Sequence, residues 1–498
     1  EVYPLSMANP TKLYATSRGI GWRIEDWALN SYFGRLSYSF SGKYYVDATF
    51  RKDGSSKFSP DFRWSTTYPS VSAAWKLTEE GFMANQNVFD FLKIRASYGK
   101  SGNQDIRALG TYDYIQLITI GGKYPMGTSN SPVAAASMKG MASPDRTWET
   151  IQNINLGIDY AFFDSRLMGS FDIYQKKNSD MLVDVTFPAT LGASAPSTNS
   201  GELTTKGWDW FVTWADKAGD FAYKVGVVIN YNENELTDLQ GADQFNLGLT
   251  PFREGYPINS YFGYKTDGII KNQQELDAYS KYAGKGIVPA TKPNGQKGLG
   301  IGDIMFKDVD GDGAITPFGD RTKGFNGDAV YLGSANPNYN FGINAEVNYK
   351  GFDLSMLWQG TGKKMTLRTG EFAMPYFYPW FQPYEYFYEK TWAANRPNAE
   401  YPRISHTDAV KYYNYAASDN MIENTAYLRL KNLQVGYAIP KSVTTKLFVD
   451  AVRIYFSGED LFEITKGDWD GNYDPEEGQS FNTYPFYRTY SFGIDVKF

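Results

Sequence analysis

The sequence predicts an all-β fold, a transmembrane antiparallel β-barrel, and three observations carry that prediction. Apolar residues recur every second position in one segment after another. The segments are joined alternately by very short turns and by connections of tens of residues. Tyrosine and phenylalanine are abundant, with 39 and 33 copies among 498 residues, and aromatic residues make up 17%. A period of two places alternate side chains on opposite faces of a strand. Long loops at one end and short turns at the other are the pattern of outer-membrane barrels, whereas sandwiches and propellers distribute loop length more evenly. Tyrosine suits surfaces that are apolar on one side and wet on the other.

Composition excludes several other classes. The net charge of -6 gives no basic cluster for nucleic acid. There is no cysteine, so disulfides, thiolate metal sites and cysteine nucleophiles are ruled out together, and one histidine, His406, cannot form a multi-histidine site. Mean hydropathy is -0.46. No run of about 18 apolar residues makes a membrane helix, which does not weigh against a barrel because lipid-facing and lumen-facing residues alternate. Glu1-Val2-Tyr3-Pro4 lacks the basic and apolar regions of a signal peptide, so export would make the chain a mature or partial product.

In chain order, residues 1 to 29 read as a loop leading into the sheet. Tyr32 to Phe40 and Tyr44 to Arg51 alternate about the Ser41-Gly42 turn, giving a hairpin. A strand follows from Tyr68 to Thr78. In the next, Leu92, Ile94, Ala96 and Tyr98 alternate with Lys93, Arg95, Ser97 and Gly99, and the two cations among these suit a wet lumen and not lipid. Residues 101 to 147 read as a large loop with one irregular segment. Alternation resumes at Ile154 to Tyr160, Leu167 to Ile173, Trp208 to Trp214 and Val225 to Tyr231. The stretch 233 to 335 is mostly polar, with one strand near Ser260 to Asp267. Phe341 to Tyr349 and Leu354 to Trp358 make another hairpin, residues 363 to 425 a long loop, and strands near 426 to 438, 450 to 458 and 488 to 498 finish the chain. That gives about fourteen strands of roughly 9 to 11 residues, the length a tilted membrane strand needs.

The last strand alternates without fault. Tyr490, Phe492, Ile494, Val496 and Phe498 oppose Thr489, Ser491, Gly493, Asp495 and Lys497. Its aromatic end resembles the signal that outer-membrane barrels present to their assembly machinery.

The blocks Gly42-Lys43-Tyr44, Arg51 through Phe58, Tyr68-Pro69-Ser70, Ala74-Trp75, Leu92 through Asn103, Tyr261-Phe262-Gly263-Tyr264, the acidic block 303 to 313, Tyr349 through Leu354, Gln359-Gly360-Thr361-Gly362 and Tyr427 through Leu433 together resemble the SusC/RagA family of TonB-dependent outer-membrane transporters. The blocks span nearly the whole chain. The resemblance implies an outer-membrane barrel of about 22 strands with a plug in its lumen, a TonB-contacting segment, and a SusD-like surface lipoprotein as a lid. The cargo it implies is oligosaccharide, or in the nearest alternative oligopeptide. No plug or TonB box is found here. An open sheet in lipid leaves backbone groups unpaired, so the chain is expected to be the C-terminal barrel portion of a longer protein or to pair with a second chain.

Two motifs stand out as candidate sites. Asp308, Asp310 and Asp312 hold positions 1, 3 and 5 of an EF-hand-like loop with Gly313 at position 6, which points to Ca2+ as a structural ion. Position 12 is Gly319, and Asp320 beside it is the substitute ligand; against the ion stands a plain Asp-Gly turn. The aromatic run 375 to 388 offers Tyr376, Tyr378, Trp380, Tyr384 and Tyr386 as flat faces for a sugar or a partner, against packing of the loop on its own rings. Trp469, between Asp468 and Asp470, is a similar platform. No nucleophile elbow, phosphate loop or zinc-protease motif occurs, so no enzyme is expected, although paired carboxylates leave a surface glycosidase as a remote alternative. A soluble all-β glycan-binding module is the other alternative.

Overall fold

The computed structural model describes residues 27–104, 112–126, 131–138, 140–184, 190, 197–240, 245–291, 298–319, 323–324, 326–378, 380, 382–405, 407–466, 474–476 and 487–498. One 13-stranded antiparallel sheet dominates. Its strands are β1 (Leu29–Phe40), β2 (Tyr44–Ser55), β3 (Thr67–Lys76), β4 (Phe91–Asn103), β5 (Glu149–Phe162), β6 (Leu167–Asp184), β7 (Ser197–Ala218), β8 (Phe221–Asp238), β9 (Tyr339–Tyr349), β10 (Phe352–Thr361), β11 (Tyr427–Ala438), β12 (Ala451–Thr465) and β13 (Thr489–Lys497). Each pairs with its neighbour in sequence, an up-and-down meander with β1 and β13 at the edges.

Local chemistry sets the turns. Lys350 and Gly351 both adopt left-handed φ, 45° and 88°, which is what a two-residue type I′ turn asks of its central pair. Phe352 and Tyr349 are thereby placed opposite each other.

Register follows the alternation. Trp75, Ile94, Ile158, Phe171, Trp210, Ile229 and Phe341 are successive cross-strand partners from β3 to β9. This row crosses the sheet on one face. Trp75, Ile94, Phe171 and Trp210 on that face are exposed, as are Leu36, Ile454, Phe492 and Ile494. The buried apolar clusters lie elsewhere, most of their residues in the connections. The largest gathers Tyr264, Ile270, Val288, Ile304, Phe306, Ile315 and Tyr413. A second gathers Leu367, Met374, Phe387, Tyr401, Tyr415 and Met421. The molecule is therefore inverted relative to a water-soluble sheet protein, whose strands would cover their apolar face.

Several expectations are corrected here. The segment near Ser260 does not join the large sheet: Ser260–Tyr264 pairs with Gly248–Thr250 and Ala329–Ser334 in a small separate sheet. Phe262 and Tyr264 are both buried, so the segment lies between packed layers and not at a lipid boundary. Residues 233 to 335 and 363 to 425 are not plain loops. They fold together around the two large clusters, and Tyr264 N–H donates to the Ala417 carbonyl to join them. Sequence periodicity misses such a unit because its strands are three to six residues long. The segment 101 to 147 holds a hairpin, Ile118–Met126 with Ser131–Met138. Strands are also longer than expected, up to 22 residues in β7, far more than a bilayer needs.

Candidate functional site

The polar face of the sheet carries paired charges near the short-turn end. Arg95 on β4 grips Asp159 on β5 (Nη2–Oδ1 2.7 Å) and Asp172 on β6 (Nη2–Oδ2 2.9 Å). Lys93 lies 3.0 Å from the same Asp159. Arg453 on β12 makes two bonds to Asp353 on β10, at 3.0 and 2.6 Å, and reaches Asp495 on β13 at 3.4 Å. Arg35 and Asp47 pair across β1 and β2 at 2.8 Å. Strand alternation puts all of these on one face, and the bridging guanidinium groups bind three strands at a time. Each pair is partly open to solvent and so stabilises only weakly; its main effect is to make this wall wet and polar.

At the long-loop end one charge is buried among partly covered partners. The Arg429 side chain is fully enclosed, donates to Glu463 at 2.9 Å and to Asp474, and lies 3.2 Å from Glu476. Lys431 bonds Glu476 and Asp460, both at 3.1 Å. This cluster ties the described 474–476 segment to β11 and β12. The sequence concealed it, because the partners lie 34 and 45 positions apart.

The folded connections occupy the same end. Asp303 is 0% exposed and receives Arg403 on both oxygens, Gly300 N–H and Asn414 Nδ2. Tyr279 and Tyr413, whose hydroxyls lie 3.2 Å apart, bond the Phe306 and Ile304 backbone; burial raises both phenols.

The aromatic run divides. Tyr384 stacks on Phe372 with 5.0 Å between ring centres, and Tyr386 packs against Tyr384 and Phe387 and donates to the Phe372 carbonyl. These rings border the second core cluster. Tyr376, Tyr378 and Trp380 remain outside it: Trp380 is 81% exposed and stacks on Tyr378 at 5.3 Å. The structure thus separates two packing residues from three that face outward. Trp469 lies outside the described residues, as do Asp468, Asp470 and His406.

In the acidic block, Asp308 and Asp310 come together with Asp328, one oxygen of each lying within 4.8 Å of the others. That convergence is close enough for one hard cation. Asp312 is not in the group and instead accepts from Ala314 N–H, while Asp320 lies outside the described residues. Asp328 accepts from Val309, Asp310 and Thr316 N–H. Burial raises its pKa above the usual carboxylate value despite those donors. The EF-hand spacing pointed downstream to position 12, and the residue found is 20 positions after Asp308, across the chain reversal. No sequence signal at Asp328 marks it.

Comparison with known proteins places this arrangement. The family model described as TonB dependent receptor-like, beta-barrel matches residues 4–461. TonB-dependent receptor P26 of Formosa agariphila is 30% identical over 99% of this chain and 48% of its own length. TonB-dependent receptor SusC of Bacteroides thetaiotaomicron is 27% identical over 94% of this chain and 44% of its own. The chain spans about half the length of the curated relatives it matches. Among solved structures, the RagAB peptide transporter superposes with a TM-score of 0.74 at 22% identity, covering 96% of this chain and 48% of that one.

Proposed function

The chain belongs to the TonB-dependent receptor-like β-barrel family of the outer membrane, and from that premise we propose that it forms part of the wall of an importer for oligosaccharides. The observation that carries the reading is the inverted sheet. Its apolar face is uncovered, its other face is lined by Arg35, Arg95, Asp159, Asp172, Asp353 and Arg453, and its buried cores lie mostly in the connections. Lipid takes the first face and a wet lumen the second.

The remaining wall, a lumen plug and a TonB-contacting segment are assigned to polypeptide beyond this chain, or to a second chain. β1 and β13 as sheet edges support this, since edges in lipid cost several kcal/mol for each unpaired group. A SusD-like surface lipoprotein is proposed to sit on the long-loop end, where Tyr378 and Trp380 face outward. The protein transfers no bonds; it binds cargo, and TonB supplies the work. Oligopeptides are the second reading of the cargo, favoured by the fold shared with the RagAB peptide transporter.

The deciding experiment is uptake by cells expressing the full-length protein, with labelled oligosaccharide and labelled oligopeptide compared with and without a protonophore. Energy-dependent uptake of one cargo fixes the class. Uptake of neither, or uptake indifferent to the protonophore, ends the importer reading. The intact mass of the outer-membrane polypeptide, set against 56.1 kDa, tests the assignment of the missing wall.

A further inference from the structure

Four large apolar side chains stand on the polar face of the sheet: Met168 on β6, Phe211 on β7, Val228 on β8 and Leu357 on β10. Arg95, Gly157, Asp172 and Asp209 are successive cross-strand partners on that face, and Phe211 is two residues from Asp209. Met168, Thr213, Gly226, Asn344 and Leu357 make one cross-strand row, and Ser170, Phe211, Val228, Gly342 and Gln359 make the next. The four apolar residues are 41% to 46% exposed, as bare as Phe171 and Trp210 at 38% on the lipid face. None of them belongs to a buried cluster among the described residues.

The patch has a recess in it. Phe211 and Val228 are direct cross-strand partners, and Met168 lies diagonal to Phe211, within the reach of an aromatic ring. On β9, between Val228 and Leu357, the two rows present Gly342 and Asn344. A Cβ on Gly342 would approach only the Trp358 carbonyl oxygen, at 3.7 Å, so the wall is set back there. Ser170, Thr213, Asn344 and Gln359 complete the rows as a polar rim. Exposed apolar surface rimmed by polar residues marks an interaction site, and lipid is not the partner on this face.

All four residues lie within seven positions of the short-turn ends of their strands, and short turns face the periplasm. In the importer reading cargo enters from the opposite end and leaves the patch wet between passages, whereas a resident segment keeps it dry. The chain spans 48% of receptor P26 and 44% of SusC, which leaves polypeptide enough for such a segment. We propose that Met168, Phe211, Val228 and Leu357 form an apolar seat for the lumen plug of the full-length protein, which inserts apolar side chains over Gly342. The inference rests on the lumen and plug of the reading above, and adds which part of the wall holds the plug and by what chemistry. Apolar contacts leave no unpaired charge when they part, so this seat holds the plug at rest and releases it under force.

The test uses the full-length protein with the photo-cross-linker p-benzoylphenylalanine in place of Phe211, a change that keeps an aromatic ring at the site. Irradiated in resting outer membranes without cargo, it is expected to cross-link to residues of the same polypeptide outside this chain, identified by peptide mass spectrometry. In planar bilayers the double variant Phe211→Ser with Val228→Ser is expected to raise the open-channel probability about tenfold, the effect of losing roughly one buried apolar side chain, while Gln359→Ala on the rim leaves it unchanged. Heat-modifiable mobility equal to the wild type shows that each barrel is folded; if the double variant fails to fold, the cross-link decides alone. The proposal is overturned if no cross-link forms, if cross-links fall only within this chain or on lipid, or if the folded double variant conducts like the wild type. A cross-link that appears only when oligosaccharide or oligopeptide is added makes the patch a cargo site and overturns the seat while the importer reading stands. No step needs transport or energy, so failure of energised uptake leaves the seat untouched.

Discussion

Arg403 closes on Asp303 with both arms, Nε to Oδ1 at 2.7 Å and Nη2 to Oδ2 at 2.9 Å, across 100 positions of sequence. Asp303 is fully buried and also takes the Gly300 N–H and Asn414 Nδ2. The pair fastens the two long connections into one folded unit. Removing the cation strands a charge in the core, at a cost of about 3–5 kcal/mol. Arg403→Ala is therefore expected to open the unit locally while the strands stay paired. Limited proteolysis should then cut within 263–306 and 401–415 and leave β7 and β8 intact; equal resistance of wild type and variant would refute the role.

The terminal strand separates lipid from lumen within three residues. Phe492 faces outward on the apolar side and is 84% exposed, whereas Ser491 is on the polar side. Phe492→Lys is expected to lower folding stability in bilayers by about 2–4 kcal/mol if it lies near mid-depth, and Ser491→Lys by less than about 1 kcal/mol. Urea titrations in lipid vesicles read both values. Equal costs would mean that the faces have been assigned wrongly.

The same strand explains a glycine. A Cβ at Gly493 would lie 2.3 Å from the Tyr455 ring, which covers that position from β12. Gly493→Val is expected to displace Tyr455 and to destabilise by about 1–3 kcal/mol, the usual range for overpacking. Removing the obstruction with Tyr455→Ala beforehand should lessen the added cost, a non-additivity that a double-mutant cycle measures.

Strands such as β4, β5 and β13 were legible because one face meets lipid and the other water, which imposes a period of two on every side chain. Tyr264, Phe306 and Tyr413 were not legible, since they are buried among short strands and turns where no period survives. Charge pairing followed the same division. Arg95 could be placed on the polar face from its spacing, but its partners Asp159 and Asp172 came only with the register. For the candidate sites, Asp308 and Asp310 were found from an EF-hand spacing, whereas Asp328 joins them through a chain reversal that the spacing does not encode. In the aromatic run composition was visible and direction was not: nothing in the sequence tells Tyr386 from Trp380.

That difference is testable. Tyr386 packs among Tyr384, Phe387 and the Phe372 carbonyl, so Tyr386→Ala is expected to cost about 3 kcal/mol or more. Trp380→Ala, at an outward position, should stay within about 0.5 kcal/mol. If Tyr378 and Trp380 meet cargo or a surface partner, Trp380→Ala lowers uptake with the melting temperature unchanged. Unchanged uptake with both outward rings removed would exclude them from the transport path. Deleting the whole run is the poorer experiment, because it removes core rings together with surface ones.

Asp328 sets a pH dependence. Burial raises its pKa above the ordinary carboxylate value, the backbone donors at Thr316, Val309 and Asp310 oppose the shift, and the neighbouring Asp310 charge adds to it. A folded pKa above the unfolded one favours the protonated form in the native state. The contribution to stability is then fully present below the unfolded value of about 3.9 and is lost as pH rises through the higher folded value. Ionising the buried carboxylate costs stability, a cost that a cation shared with Asp308 and Asp310 would offset. Proteolytic resistance of the loop 303–328, followed from pH 4 to neutral, is accordingly expected to fall in wild type and to change less in Asp328→Asn. Added calcium should restore it at neutral pH in wild type alone. A pH response shared by both proteins would remove Asp328 as its source, and indifference to calcium would leave the segment an Asp-Gly turn closed by backbone hydrogen bonds.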